Sequence, residues 1–170
     1  MNWFNSILVL LIASSIITDV KSRKIYNIQT FTAMACGLVL HFSFEGINGL
    51  LFSLYGLILG LLLLIFFFLN GSIGAGDVKL LAAIGALKGT VFTLETMFFA
   101  ALIGGFMAVI FVIKQKRFTQ TLKNTFHFIC HPIKYAHNDS TIHQYLPYGV
   151  AISTGCACTL FKPLYVNLIQ

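Results

Sequence analysis

Apolar residues fill long blocks of this chain, separated by short polar breaks, and the blocks have the length of membrane crossings. Residues 2–18 are almost all apolar and are followed at once by Asp19, Lys21, Arg23 and Lys24. A second block, about 28–44, ends at a break holding Glu45, Gly46, Asn48 and Gly49; a third, 50–69, carries no charge. After Asn70 a glycine-rich stretch, Gly71-Ser72-Ile73-Gly74-Ala75-Gly76-Asp77, leads into a weaker block over 78–93 with Lys79 and Lys88 near its two ends. Blocks over 97–113 and about 146–165 follow, and the longest polar stretch, 114–145, lies between them. A helical span takes about 20 residues. The pattern therefore predicts an all-α, polytopic membrane helix bundle of about six transmembrane helices, a single domain over 1–170 with a basic loop at about 114–145. Met1 to Asn5 carry no Lys or Arg, so the first block reads as a retained span and not as a cleaved signal peptide.

Composition agrees. Of 170 residues, 58% are hydrophobic and only 9% charged, against about 25% charged in ordinary soluble domains. A net charge of +6 and a pI near 9.3 would often suggest nucleic acid, but the basic residues sit in short runs between apolar blocks. Such runs orient membrane proteins, so membrane lipid is the expected partner and nucleic acid is not. Lys21, Arg23 and Lys24 follow block one, Lys79 borders the break before block four, and Lys114, Lys116, Arg117, Lys123 and Lys134 fill the polar stretch. The positive-inside rule places these breaks in the cytoplasm and both termini outside. Cys36, Cys130, Cys156 and Cys158 form no CxxC pair and read as small apolar residues. Gly56 with Gly60, and Gly85 with Gly89, repeat the GxxxG spacing that lets two helices approach closely.

Five carboxylates remain to be placed: Asp19, Glu45, Asp77, Glu95 and Asp139. Glu45 and Glu95 fall in expected outer loops and Asp139 in the polar stretch, where solvent accounts for them. Asp19 closes block one and Asp77 opens block four, so both arrive at the cytoplasmic face. An ionisable group at a membrane boundary is a candidate for function. It can also simply mark where lipid ends, or cap a helix in the case of Asp77, and position alone does not choose. Gly74, Ala75 and Gly76 add a backbone that another chain can approach closely, as a site handling an extended peptide requires.

Gly74-Ala75-Gly76-Asp77-Val78-Lys79 resembles the GxGDxK form of the GxGD membrane aspartic protease motif found in type IV prepilin peptidases. Asp19 with Lys21, Arg23-Lys24-Ile25 and Asn27 is similar to that family's first catalytic aspartate and its D…R-[RK]-I-P-N continuation, with Tyr26 where the family usually has Pro. Pro147-Tyr148-Gly149-Val150-Ala151-Ile152 is similar to the segment that opens the last span in the small Flp/Tad-pilus branch. The resemblance implies a bacterial cytoplasmic (inner) membrane peptidase with its active site at the cytoplasmic face. Asp19 and Asp77 would be catalytic, and Gly74, Gly76, Lys79, Arg23, Pro147, Tyr148 and Gly149 would be motif or substrate-binding residues. It further implies an aspartic endopeptidase that removes the leader from Flp-type prepilins and pseudopilins, substrates with a basic leader and an apolar N-terminal helix, cutting after a Gly. No cofactor is implied. The long members' paired CxxC motifs and N-methyltransferase activity have no counterpart here, so methylation is not expected.

Two carboxyls suit this chemistry because one, ionised, takes a proton from water while the other, protonated, hydrogen-bonds the scissile carbonyl, the pair sharing a proton. Helix dipoles suggest Asp77, at a helix start, as the base and Asp19, at a helix end, as the acid. Lys79 does not share a helix face with Asp77 and reads as an interface anchor or a contact for lipid phosphate or substrate. Arg23 and Lys24 read first as a topology signal, and secondarily as a dock for an acidic substrate feature. Pro147, Tyr148 and Gly149 read equally as a helix start or as the border of a peptide groove. His127 and His131, spaced i, i+4 in the polar stretch, could share a metal, although no aspartic mechanism needs one and no metal site is expected. The competing class is a non-enzymatic membrane protein, either a proton-coupled transporter or a pilus-assembly scaffold.

Overall fold

The computed structural model describes residues 2–71, 73–114 and 148–169. Among them the chain forms four helices: α1 (Asn2–Ser22), α2 (Asn27–Leu69), α3 (Ala75–Lys114) and α4 (Tyr148–Ile169). The described residues contain no strands. Segments Trp3–Ser22, Asn27–Leu69 and Ala75–Ile110 are each long and apolar enough to cross a membrane. Large apolar side chains such as Ile28, Phe66, Leu69 and Phe106 are well exposed, as they would be if lipid were the outer solvent. The basic stretch at 115–145, with its histidines and Cys130, lies outside the described residues, and so does Pro147.

Two of the helices are interrupted by a glycine in a left-handed conformation, Gly46 (φ 61°) in α2 and Gly89 (φ 78°) in α3. Both interruptions are reversals. In a straight helix Gly37 and Gly60 would stand about 34 Å apart, yet they pack on neighbouring turns of α3, against Ala86 and against Leu81 and Ala82. The two limbs of α2, 27–45 and 47–69, therefore lie side by side on the first limb of α3. Likewise a Cβ on Gly85 would sit 3.1 Å from Thr93 Oγ1, although residues that far apart in one helix are separated by about 12 Å. The sequence pattern places the Gly46 break correctly, inside its polar interruption. It places the other too late. The break expected between 93 and 97 occurs at Gly89, because a positive φ and not a loss of hydrophobicity ends this limb. As a result Glu95 is not a loop residue: it lies within the second limb of α3 and pairs with Lys162 of α4 at 2.6 Å.

A helix that ends leaves carbonyls without partners, and α2 supplies them for the first limb of α3. His41 Nε2 donates to the Leu87 carbonyl at 3.2 Å and Ser53 Oγ to the Ala86 carbonyl at 2.7 Å. His41 is itself held by stacking on Phe4 of α1, with ring centroids 4.2 Å apart. The limb so capped is the core of the molecule. Leu80, Leu81, Ala82, Ala83, Ile84 and Ala86 have no exposure at all. Its small side chains let α2 approach to backbone contact, and the two GxxxG segments meet face to face: a Cβ on Gly56 would lie 2.7 Å from the Gly85 carbonyl carbon and 2.9 Å from Gly89 Cα. Such backbone atoms cannot swing aside.

Gly56→Ala should therefore destabilise the bundle by about 3 kcal/mol, as overpacking against a rigid wall does. Gly105→Ala, where nothing lies within 4 Å of the added carbon, should not. Thermal unfolding in detergent micelles followed by helical circular dichroism measures both.

Candidate active site

The site begins with how α1 ends. Arg23 follows the helix in the left-handed region (φ 51°), and its N–H donates to the Asp19 carbonyl at 2.8 Å, the single-bond helix stop usually made by glycine. For a residue with a Cβ this conformation costs about 1–2 kcal/mol. The turn leads into a short non-helical connector of Lys24, Ile25 and Tyr26 between α1 and α2. Tyr26 holds φ −76° and ψ 136°, within the narrow range a proline would impose. The departure from the expected Pro thus leaves the connector in the shape a Pro would have given it.

Asp77 enters from the glycine-rich side. Its N–H donates to the Gly74 carbonyl at 3.1 Å, and its carboxylate accepts from the Gly74 backbone N–H. This reciprocal bonding between the cap residue and the third helical residue closes the start of α3. Gly76, one turn position earlier, lies against the connector: a Cβ there would stand 3.0 Å from Ile25 Cβ.

Asp19 is 6% exposed and is satisfied by a helix other than its own. Its Oδ2 accepts the Val150 N–H of α4 at 3.0 Å, with the Gly149 N–H as a further donor. The absence of a side chain at Gly149 leaves room for this bond, since a Cβ would stand 2.7 Å from Asp19 Oδ2 and 2.8 Å from Ile25 Cδ1 and would push the carboxyl aside. The helices that carry the acids, taken alone, set Asp77 at a positive end and Asp19 at a negative one. With α4 included, each carboxyl occupies the positive end of a helix, α4 for Asp19 and α3 for Asp77, so helix ends do not rank the two as acid and base.

The two carboxyls line one cavity of about 370 Å³, together with Arg23, Lys24, Asn27 and Gly74, and they are close enough to interact electrostatically. Tyr148, the first residue of α4, also lies within reach of the Asp77 charge. Of the residues singled out from sequence, Asp19, Asp77, Gly74, Gly76, Arg23, Tyr148 and Gly149 come together here. Lys79 is nearby but committed: its Nζ donates to Asn27 Oδ1 at 2.9 Å and lies 5.3 Å from the Phe31 ring centre. It joins α3 to the start of α2 and so is more than an interface anchor. Three residues had no assigned task from sequence. Ile25 wedges between Gly76 and Gly149, Asn27 receives Lys79, and Val150 donates to Asp19. All three fall inside recognisable segments, but their partners are 50 or more positions away and leave no local trace.

Comparison with curated proteins and with solved structures finds no significant match. A family model does match, over residues 6–109, a stretch that contains both aspartates, the connector and the glycine-rich turn. The chain belongs to the type IV leader peptidase family, whose members are the prepilin peptidases.

Proposed function

We propose that the chain is an aspartic endopeptidase that removes the leader of Flp-type prepilins and pseudopilins, with Asp19 and Asp77 as the catalytic pair. The observation that carries this reading is the meeting of the two carboxyls in one cavity lined also by the Ile25 connector and by Gly74-Ala75-Gly76. One carboxylate takes a proton from water and the oxygen attacks the scissile carbonyl carbon. The other, protonated, hydrogen-bonds the developing oxyanion. Collapse of the tetrahedral intermediate breaks the C–N bond, and a proton passes to the leaving amine. The leader departs with a new carboxylate and the pilin with a new N-terminus. Glycine backbone beside Asp77 supports binding of an extended strand, and Arg23, Lys24, Tyr148 and Gly149 border the path such a strand would take. The acids sit in the last turn of α1 and the first turn of α3, which favours chemistry at a membrane surface over proton-coupled transport, where acids near the midplane are expected.

We further infer six spans in one transmembrane domain, each limb of α2 and α3 crossing once, with α1 and α4 as the first and last. The basic residues beside Asp19 and Asp77 then lie at the cytoplasmic face of a bacterial inner membrane, and both termini lie outside. A prepilin, with a basic leader in the cytoplasm and an apolar helix in the lipid, presents its cleavage point in that plane.

Three tests follow from this reading. Co-expression with a Flp-type prepilin should show leader removal by wild type, and a loss of at least about 10²-fold in Asp19→Asn and in Asp77→Asn, the scale of general acid–base catalysis. Leader removal that persists in both variants discards the mechanism. Gly149→Ala should keep its helical circular dichroism, because the atoms in its way are side-chain ends, while displacing the Asp19 carboxyl and lowering cleavage by about 10²-fold. With the native cysteines replaced by serine, Lys24→Cys should react with an impermeant maleimide only from the cytoplasmic side and Asn48→Cys only from the outer side.

A further inference from the structure

The end of the bundle opposite the aspartates holds a larger cavity, of about 690 Å³. Rings of Trp3, Phe4, Phe44 and Phe52 wall it, and it contains one charge of each sign, Glu45 and Lys88. Neither charge has an ionic partner among the described residues. Lys88 Nζ donates one hydrogen bond to Asn5 Oδ1 at 2.6 Å and lies 5.3 Å from the Phe92 ring centre, leaving two of its three donors. Glu45 is exposed beside the Gly46 reversal. His41, fixed by its bond to the Leu87 carbonyl and its stack on Phe4, keeps the wall rigid. Two opposite charges that do not meet across an aromatic cavity are complementary to a zwitterion.

A second feature says what the zwitterion is attached to. A groove of about 560 Å³ opens from the same place and shares Trp3 and Phe44 with the cavity. It runs along the seam between α1 and the first limb of α2, past Ile7, Ala35, Val39 and Leu40. From Phe44 to Ala35 it descends about 13 Å towards the middle of the bundle, and every residue along it is apolar.

We propose that cavity and groove together bind one phospholipid whose headgroup bears a phosphate and a primary ammonium, that is, a phosphoethanolamine lipid. The phosphate meets Lys88. The ammonium is held between the Glu45 carboxylate, to which it can donate, and the faces of the surrounding rings. An acyl chain lies in the groove. Glu45 disfavours purely anionic headgroups, and a quaternary ammonium has no N–H to give it. The site is in the leaflet away from the aspartates and is independent of their chemistry.

Trp3 is the only tryptophan in the chain, so quenching of its fluorescence by brominated acyl chains reads occupancy of the groove directly. The full chain is reconstituted in bilayers of equal phosphoethanolamine and phosphoglycerol lipid, with bromine on one or the other. Quenching by the brominated phosphoethanolamine lipid should exceed that by the phosphoglycerol lipid about threefold, the size expected from one partly screened ion pair. Glu45→Gln, a change at an exposed side chain, should bring the ratio to one without lowering quenching by the phosphoglycerol lipid, and Lys88→Gln should lower both. Equal quenching in wild type, which lipid surrounding the protein unspecifically would give, overturns the proposal, as does a ratio that survives Glu45→Gln. Excess soluble phosphoethanolamine should leave the ratio unchanged. If it abolishes the preference, the cavity takes a headgroup alone and the lipid site is overturned.

Discussion

The hydrogen bond from the Val150 N–H to Asp19 Oδ2 joins positions 131 residues apart and makes the first and last helices parts of one site. A carboxylate held at 6% exposure needs donors or the cost of burying it falls on the fold. The start of a helix has donors to spare. Each side therefore supplies what the other lacks, and the geometry of the cavity follows: α4 begins opposite the end of α1, Gly149 leaves room for the Asp19 carboxyl, and Ile25 fills the gap between Gly149 and Gly76. Asp77 is placed by similar means within its own segment, as the group that closes the start of α3. Both acids are thus structural at rest. In the proposed reaction such caps would hold both carboxyls in position before substrate arrives, which is what a reaction dependent on orientation requires.

The rest of the bundle supports this end by bringing backbones unusually close. The first limb of α3 is the most enclosed of the central segments. Lipid-facing residues must be apolar because of their solvent, whereas an enclosed limb has to be narrow, and Ala82, Ala83, Gly85 and Ala86 meet that need. In a membrane, where hydrophobic transfer does little to pull helices together, such van der Waals contact is what holds them. It also fixes the distance across the bundle, and so the position at which Asp77 emerges.

Charge scarcity made part of this legible in the sequence. With five acids in 170 residues, the two at the edges of apolar blocks stood out, and Asp19 and Asp77 converge as that reasoning requires, whereas Glu95, expected in a loop, lies within α3. The Gly46 reversal could be read because polar neighbours mark it. Gly89 could not: Lys88, Thr90, Val91, Phe92 and Thr93 look like continuing helix, and only the positive φ ends it. Nor could local sequence reveal that Asp19 would be capped by α4, or that Lys79 would reach Asn27, since each is a partnership across the fold between residues whose own segments give no hint of the other. Motif resemblance brought those residues together as strings of letters, while their individual tasks depend on packing.

The reversals at Gly46 and Gly89 also divide the surface unequally. Each turns the chain with barely one residue outside helical geometry, so between α2 and the second limb of α3 the end remote from the aspartates presents helix tips and almost no free strand. The non-helical polypeptide that is described, from Arg23 to Tyr26 and around Ile73 and Gly74, is gathered at the opposite end. Among the described residues, any macromolecule that grips by pairing with exposed backbone, or any nicking enzyme that needs a non-helical stretch to thread, finds its purchase at the aspartate end.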